Sequence, residues 1–285
     1  MTVDQYARAR QETMAMKAVG VVHSSVRSRE EMPVHGVTAQ IEIFEEYADA
    51  LKGIDGNTHL ILLCWLHEAD RSVLKAVPRK ISPGLPEQGV FSLRSPARPN
   101  PISVTFVRVE RHFGRYLFVW GLDVIDGTPI LDIKPYQAGM DCIFSARNPD
   151  REEKIKKMQP GVFQDSLVQE AFNYHGERCI GLALAVRMAM VANLMLGRDL
   201  RADDIGIIIG KNPCISDSLI GITGARLGNG RLLFNLRPKL KQSGADSYSI
   251  FSQEKTIIFK LRRFMKDFNG VLESDVNDLF DIEVL

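Results

Sequence analysis

Between residues 19 and 135 the chain is built of short runs in which apolar and polar side chains alternate. Val37-Thr38-Ala39-Gln40-Ile41-Glu42-Ile43 and Ile102-Ser103-Val104-Thr105-Phe106 each put every second side chain on one face, the period of a half-buried strand. Residues 116–120 form another strand. Residues 60–66 do not alternate and are apolar on both faces, which predicts a central strand covered on both sides, with a buried helical turn as the competitor. Several short strands so close together predict a barrel or a sandwich.

The pattern changes at Asn148-Pro149-Asp150-Arg151-Glu152-Glu153-Lys154, a charged stretch followed by Gln159-Pro160-Gly161. Such a stretch predicts a boundary or linker, hence two domains, 1–150 and 151–285. Beyond it Leu182, Ala185, Ala189, Ala192 and Leu196 recur at helical spacing, and Gly197 is placed to cap the helix. Residues 205–209 read as a buried strand, 216–223 as a short helix, and 231–234 and 248–251 as further strands. The stretch 266–285 reads as a polar helix with Phe268, Val271, Val276 and Leu279 near one face. The second half is therefore α+β, and neither an internal repeat nor a low-complexity tract is present.

Composition narrows the class. The 285 residues are 45% apolar, enough for two modest cores. Lys and Arg number 36 against 35 Asp and Glu, so net charge does not advertise a polyanionic partner, although Arg27 with Arg29, Arg79 with Lys80, and Lys154 with Lys156 and Lys157 form local basic clusters. Cys64, Cys142, Cys179 and Cys214 are too scattered for a disulfide framework and suit a reducing cytoplasm. Residues 1–13 are polar and charged, and the apolar runs are short, so neither secretion nor a membrane span is expected.

Two segments carry the chemistry of the first half. In Arg94-Ser95-Pro96-Ala97-Arg98-Pro99-Asn100-Pro101-Ile102 three prolines stiffen the backbone and two arginines offer planar donor forks, which suits a binding loop. The second, Gly121-Leu122-Asp123-Val124-Ile125-Asp126-Gly127-Thr128-Pro129-Ile130-Leu131-Asp132-Ile133-Lys134-Pro135-Tyr136, sets three carboxylates around an Asp-Gly turn and ends in Lys-Pro-Tyr. No Gly-rich Rossmann fingerprint follows any strand.

Together these segments resemble the signature of the TsaA/TrmO family of S-adenosylmethionine-dependent tRNA methyltransferases. The likeness extends upstream through Gly89-Val90-Phe91-Ser92 and the strand bracketed by His59 and His67, and Ser103 stands where the family usually has Gly. It implies a small β-barrel domain distinct from Rossmann methyltransferases, with cofactor sites close to a dimer interface. By the same resemblance His67, Arg94, Ser95, Pro96, Arg98, Pro99, Asn100, Pro101, Ile102, Asp123, Gly127 and Thr128 bind the cofactor, while Asp126, Asp132, Lys134 and Tyr136 serve the reaction. Arg94 or Arg98 would clamp the methionine carboxylate, and Asp126 or Asp132 would take ribose hydroxyls or the proton of the acceptor nitrogen. His23, His35 and His112 carry no such indication.

In the second half, Tyr174-His175-Gly176-Glu177-Arg178-Cys179-Ile180-Gly181-Leu182-Ala183 puts His175 and Cys179 at the mouth of the apolar helix, and Cys214 precedes the next one. Imidazole and thiolates suit zinc, nickel or iron. Gly176 suggests that, of His175 and Cys179, only Cys179 need be helical. This arrangement resembles the FmdE-like domain, with Glu177 where that family has a second histidine and Ile180 where it has proline. The whole chain thus reads as a cytoplasmic homodimer whose cofactors are S-adenosylmethionine and, in the second domain, zinc or another transition metal. Its acceptor is tRNA, with N-methylation of threonylcarbamoyl-adenosine. The alternatives are a small molecule or metal-associated ligand presented by the C-terminal domain, or a non-catalytic sensor of S-adenosylmethionine.

Overall fold

A computed structural model describes residues 14–33, 35–146, 148, 150–234, 246–262 and 266–285; the polar stretch 1–13 lies outside them. The chain divides into two compact units, one of the residues up to Lys80 with Pro86–Ile143, the other of Ile81–Leu85 with Phe144–Leu285.

The first unit resolves the choice between barrel and sandwich. Its strands are β1 (Gly20–His23), β2 (Val37–Ile43), β3 (His59–Trp65), β4 (Lys75–Ala76), β5 (Gln88–Gly89), β6 (Ile102–Phe113), β7 (Tyr116–Leu122) and β8 (Pro129–Pro135), followed by the short helix α1 (Ala138–Asp141). Six of them close a barrel in the order β1-β2-β7-β6-β3-β8, while β4 and β5 form a separate ribbon. Alternation does what it predicts in β2, where Ala39, Ile41 and Ile43 fill the interior with Leu60, Leu62 and Cys64 of β3 and Val107, Leu117, Val119 and Ile130. In residues 102–106 of β6 its sense is reversed, Thr105 being buried and Val104 and Phe106 exposed. The expectation that residues 60–66 are covered on both faces is corrected. Ile61, Leu63 and Trp65 point away from the core and remain half-exposed.

Where β2 begins its register against β7 shifts between Val37 and Ala39. Gly36 makes this possible, with φ +70° and a backbone so close that a Cβ would stand 2.5 Å from the Leu122 carbonyl oxygen. Gly36→Ala should therefore destabilise the barrel by at least about 2 kcal/mol. A lowered midpoint in denaturant titration checks it.

The second unit comprises α2 (Arg151–Lys157), α3 (Pro160–His175), α4 (Ile180–Leu196), β9 (Gly206–Ile209), α5 (Pro213–Thr223), β10 (Leu232–Phe234), β11 (Ser247–Phe251), β12 (Thr256–Leu261), α6 (Phe268–Glu273), α7 (Val276–Leu279) and β13 (Phe280–Val284). Its sheet runs β10-β9-β11-β12-β13, with β10 parallel to β9 and the other pairs antiparallel. Helix α4 is apolar nearly all round and sits in the core, its alanines Ala183, Ala185, Ala189 and Ala192 fully buried, so neighbouring helices approach closely. Among the described residues no helix is long and apolar enough to cross a membrane.

Two readings change here. The charged stretch 148–161, read as a boundary or linker, carries α2 and the start of α3, where Pro160 stands at the first turn and its missing N–H costs nothing. The tail is not one polar helix; it is two short helices and the edge strand β13, paired with β12 from Ile257↔Val284 to Leu261↔Phe280.

Candidate functional site

Antiparallel registry brings part of the signature together on the outside of the barrel. Lys134 of β8 lies beside Ile61 of β3, which lies beside Phe106 of β6; one step along, Asp132, Leu63 and Val104 make a second row. Cross-strand neighbours share a face, so Ile61, Leu63, Val104 and Phe106 form an apolar floor. It is accessible: Val104 is 43% and Phe106 44% exposed. Tyr136 meets Phe106 edge-on at 5.7 Å, and the Arg94 guanidinium stands 6.0 Å over the same ring. Lys134 and Asp132 are ion-paired at 2.7 Å. Burial holds the Tyr136 hydroxyl above its ordinary pKa, with Cys142 adding to the effect.

The loop 94–101 is held from outside itself. Arg98 donates to the Val90 and Leu93 carbonyls, the latter at 2.6 Å, and its buried Nε has no hydrogen-bond partner among the described residues. Arg71 donates to the Pro99 carbonyl at 3.2 Å while its guanidinium stacks on Trp65, and the Leu66 N–H reaches the Pro101 carbonyl at 2.8 Å. Asn100 is exposed, Pro101 is buried, and Ser95 and Pro99 are half-buried, with Pro96 exposed between them. The two arginines therefore divide their duties: Arg98 is committed to shaping the loop, whereas Arg94 is exposed and makes no ion pair with any described residue.

The Asp-Gly turn lies elsewhere on the barrel. It crosses from β7 to β8, strands that do not pair with each other, and Gly127 at φ +74° allows the reversal. Asp126 Oδ1 accepts from Ser24 N at 2.9 Å, and Asp126 N donates to the Val26 carbonyl at 2.8 Å. Thr128 is buried with its hydroxyl on Ile125 O at 2.7 Å, and Asp123 accepts from Thr105 Oγ1 at 2.6 Å. In this structure Asp126 and Thr128 position backbone and Asp123 holds the Thr105 side chain. Exposed His67 has Glu68 as its charged neighbour, at 3.9 Å. Sequence reasoning missed the floor, Ile61, Leu63, Val104 and Phe106, although the two-faced apolarity of 60–66 was its signal.

The floor fits S-adenosylmethionine in kind. An exposed aromatic face suits adenine, an uncommitted guanidinium suits a carboxylate, and Asp132 is an acceptor within the same surface.

The second unit builds a tighter cluster. His175 is the last residue of α3, and Gly176 at φ +88° turns the chain so that Cys179 becomes the N-cap of α4, its Sγ accepting from Leu182 N at 3.4 Å. So His175 is the helical member and Cys179 the cap, the reverse of the expectation. Cys214 follows Pro213 in the first turn of α5, whose cap is Asn212. One ligand atom from each of His175, Cys179 and Cys214 lies within 4.8 Å of the others, with Cys179 Sγ 3.3 Å from His175 Nε2. Zinc bound by imidazole and thiolate sets such atoms about 3.5 Å apart, from the bond lengths and tetrahedral angle, so the donor set and spacing fit a transition metal. Burial, then Cys179, raises the Cys214 thiol pKa, a penalty that a bound cation reverses. Behind the imidazole, buried His175 Nδ1 has no hydrogen bond among the described residues, with Asp217 Oδ2 at 3.5 Å. Glu177 is exposed and is not a member of the cluster.

The closed antiparallel barrel and its signature define a non-Rossmann S-adenosylmethionine-binding class, joined to an α+β domain. Residues 21–142 match the model of the tRNA-methyltransferase O N-terminal domain, and residues 174–270 match the model FmdE, Molybdenum formylmethanofuran dehydrogenase operon. An S-adenosyl-L-methionine-binding protein of Archaeoglobus fulgidus is 40% identical over 46% of this chain and 94% of its own length. A second protein of that organism, named as a probable S-adenosyl-L-methionine-binding protein, is 39% identical over 77% of this chain, and the match spans 60% of its length. The tRNA (adenine(37)-N6)-methyltransferase of Rattus norvegicus is 35% identical over 41% of this chain and 27% of its own. Among solved structures, TrmO from Pseudomonas aeruginosa is 19% identical, with 88% of this chain and 94% of that one covered at a TM-score of 0.42. The chain belongs to the tRNA-methyltransferase O family of S-adenosylmethionine-binding proteins through its barrel, and its second domain is an FmdE domain.

Proposed function

We propose that this protein methylates tRNA with S-adenosylmethionine as donor, on the exocyclic nitrogen of threonylcarbamoyl-adenosine. The observation that carries this reading is the convergence of Arg94, Asp132, Lys134 and Tyr136 on one accessible apolar floor around Phe106. The matched family model and the rat relative both bear names of tRNA methyltransferases, which supports the acceptor.

Bound there, S-adenosylmethionine supplies a methyl group on a cationic sulfur. The protein's own contribution is placement. Arg94 holds the carboxylate end, Phe106 and Val104 take the adenine or the acceptor base, and the paired Asp132 and Lys134 keep a polar edge along an otherwise apolar surface. Aligning nucleophile, carbon and sulfur contributes more to such a transfer than proton chemistry does. A homodimer that covers this half-exposed face would complete the site and exclude water from it. Four unpaired thiols favour a reducing, cytoplasmic setting.

In the second domain His175, Cys179 and Cys214 would hold zinc or a related ion, leaving a coordination position for an exogenous ligand. That open position favours a second reading, in which the acceptor is a small molecule presented by the metal. Purified protein incubated with labelled methyl donor separates the two: label in total tRNA supports the first, label only in a small-metabolite extract the second.

A further inference from the structure

The local basic clusters of the sequence meet different fates in the fold. Lys156 and Lys157 of α2 are each ion-paired at 2.7 Å one turn back, to Glu152 and Glu153. Those charges are neutralised where they stand. The other two clusters, far apart in sequence, become one. Lys80 Nζ donates to the Arg29 carbonyl at 2.5 Å and the Met32 carbonyl at 3.3 Å, so the segment carrying Arg79 and Lys80 closes onto the loop carrying Arg27 and Arg29.

That loop is anchored by groups other than its arginines. Met32 is 7% exposed and plugs one end. At the other end Asp126 takes the Ser24 N–H and gives its own N–H to Val26, as described above. Between them Glu31 N reaches Ser28 O at 3.3 Å. Arg27 and Arg79 are exposed and take no part in this scaffolding, and neither pairs with a carboxylate among the described residues. Arg29 has Glu30 at 3.1 Å, and Glu30 is held below the usual carboxylate range by its backbone hydrogen bond, then by Arg29 and Lys80. Within the segments 27–32 and 79–80 four cations stand with two carboxylates, Glu30 and Glu31. Arg27 and Arg79, long flexible cations that do nothing for the fold and are carried on a backbone held this firmly, suit a partner that brings its own negative charge at intervals.

We propose that Arg27, Arg29 and Arg79 form an RNA phosphate-docking patch, its two segments joined by Lys80 and its loop positioned by the Asp126–Gly127 turn of the signature. The inference rests on the tRNA reading above and gives it an address. It also gives Asp126 a part distinct from chemistry: a positioning residue that ties the docking loop to the barrel.

The test measures binding of unfractionated tRNA to the full chain by fluorescence anisotropy across a salt series, without methyl donor. Arg27→Ala combined with Arg79→Ala should weaken binding roughly tenfold or more at low salt and flatten the slope of log K against log salt by about 1.5–2, two phosphate contacts' worth. S-adenosylmethionine affinity should stay unchanged, showing that the barrel is intact. Lys156→Ala with Lys157→Ala should leave both quantities as in the parent. If the parent binds tRNA and the Arg27/Arg79 variant keeps its affinity and slope, or the Lys156/Lys157 variant carries the loss, the patch is wrong and the tRNA reading stands. Should the parent not bind tRNA at all, while transferring methyl to the small-metabolite fraction, the reading and the patch fall together.

Discussion

Arg94→Ala should weaken S-adenosylmethionine binding about tenfold to a hundredfold in isothermal titration, with the thermal midpoint of the protein unchanged. A charge-assisted hydrogen bond contributes roughly 1.5–3 kcal/mol, and each 1.4 kcal/mol is a decade in affinity. Stability should be indifferent, because among the described residues the exposed Arg94 guanidinium supports no backbone group and leans over Phe106. Arg98→Ala is the contrasting case. Its guanidinium holds the Val90 and Leu93 carbonyls, so its loss should lower the midpoint and the affinity together. Both carbonyls are served by one guanidinium nitrogen, Nη2, so Arg98→Lys should recover part of the loss, because a lysine ammonium offers three donors from a single nitrogen. The signature treats the two arginines as equivalent; the structure does not. An Arg94→Ala protein that binds the donor as tightly as the parent would remove the carboxylate clamp from the account.

Why the sequence separates some of this and not the rest can be argued from particular elements. Strand β2 was legible because one face meets the barrel core and the other meets water, so composition alternates with geometry. By contrast, β6 keeps the period but reverses its sense, with Thr105 buried and Val104 and Phe106 facing outward. Residues 60–66 misled for a chemical reason. Apolar side chains on both faces normally mean burial on both, but here the outer set, Ile61 and Leu63, forms part of a half-exposed floor. Helix α3 has its inward positions at Phe163, Leu167, Val168 and Ala171, a clear helical spacing. Reading Pro160-Gly161 as a breaker hid it, although proline at the first turn starts helices as readily as it ends them. In the tail, Phe280-Asp281-Ile282-Glu283-Val284 alternates strictly, yet taken with the preceding helical residues the period was averaged away. The candidate site was half-legible. Motif order identified Arg94, Asp132, Lys134 and Tyr136, but which of them share a surface is decided by the register of β8, β3 and β6, and that is a long-range property. The same register separates Asp126 from them.

The second domain offers the other large effect. Purified without chelator, the protein should carry close to one equivalent of zinc or a related ion by mass spectrometry, and Cys214→Ala should lose it. The more discriminating variant is Gly181→Ala. Gly181 opens α4 beside the first turn of α5, where a Cβ would stand 2.5 Å from Cys214 Cβ and 3.3 Å from Ile215 N. Adding that methyl forces the two helix starts apart, at a cost of about 1–3 kcal/mol, and moves the Cys214 sulfur away from Cys179 and His175. Metal content should fall although all three ligands remain. Asp217→Asn probes the opposite side of the imidazole, where a carboxylate 3.5 Å from Nδ1 orients the ring; its neutralisation should weaken metal affinity about tenfold to a hundredfold without emptying the site at saturating metal. A graded series, with Cys214→Ala empty, Gly181→Ala depleted and Asp217→Asn weakened, requires an ion at the centre of the three ligands. Three thiol and imidazole groups merely packed in a core would make Gly181→Ala less stable and leave metal content at zero throughout, the parent included.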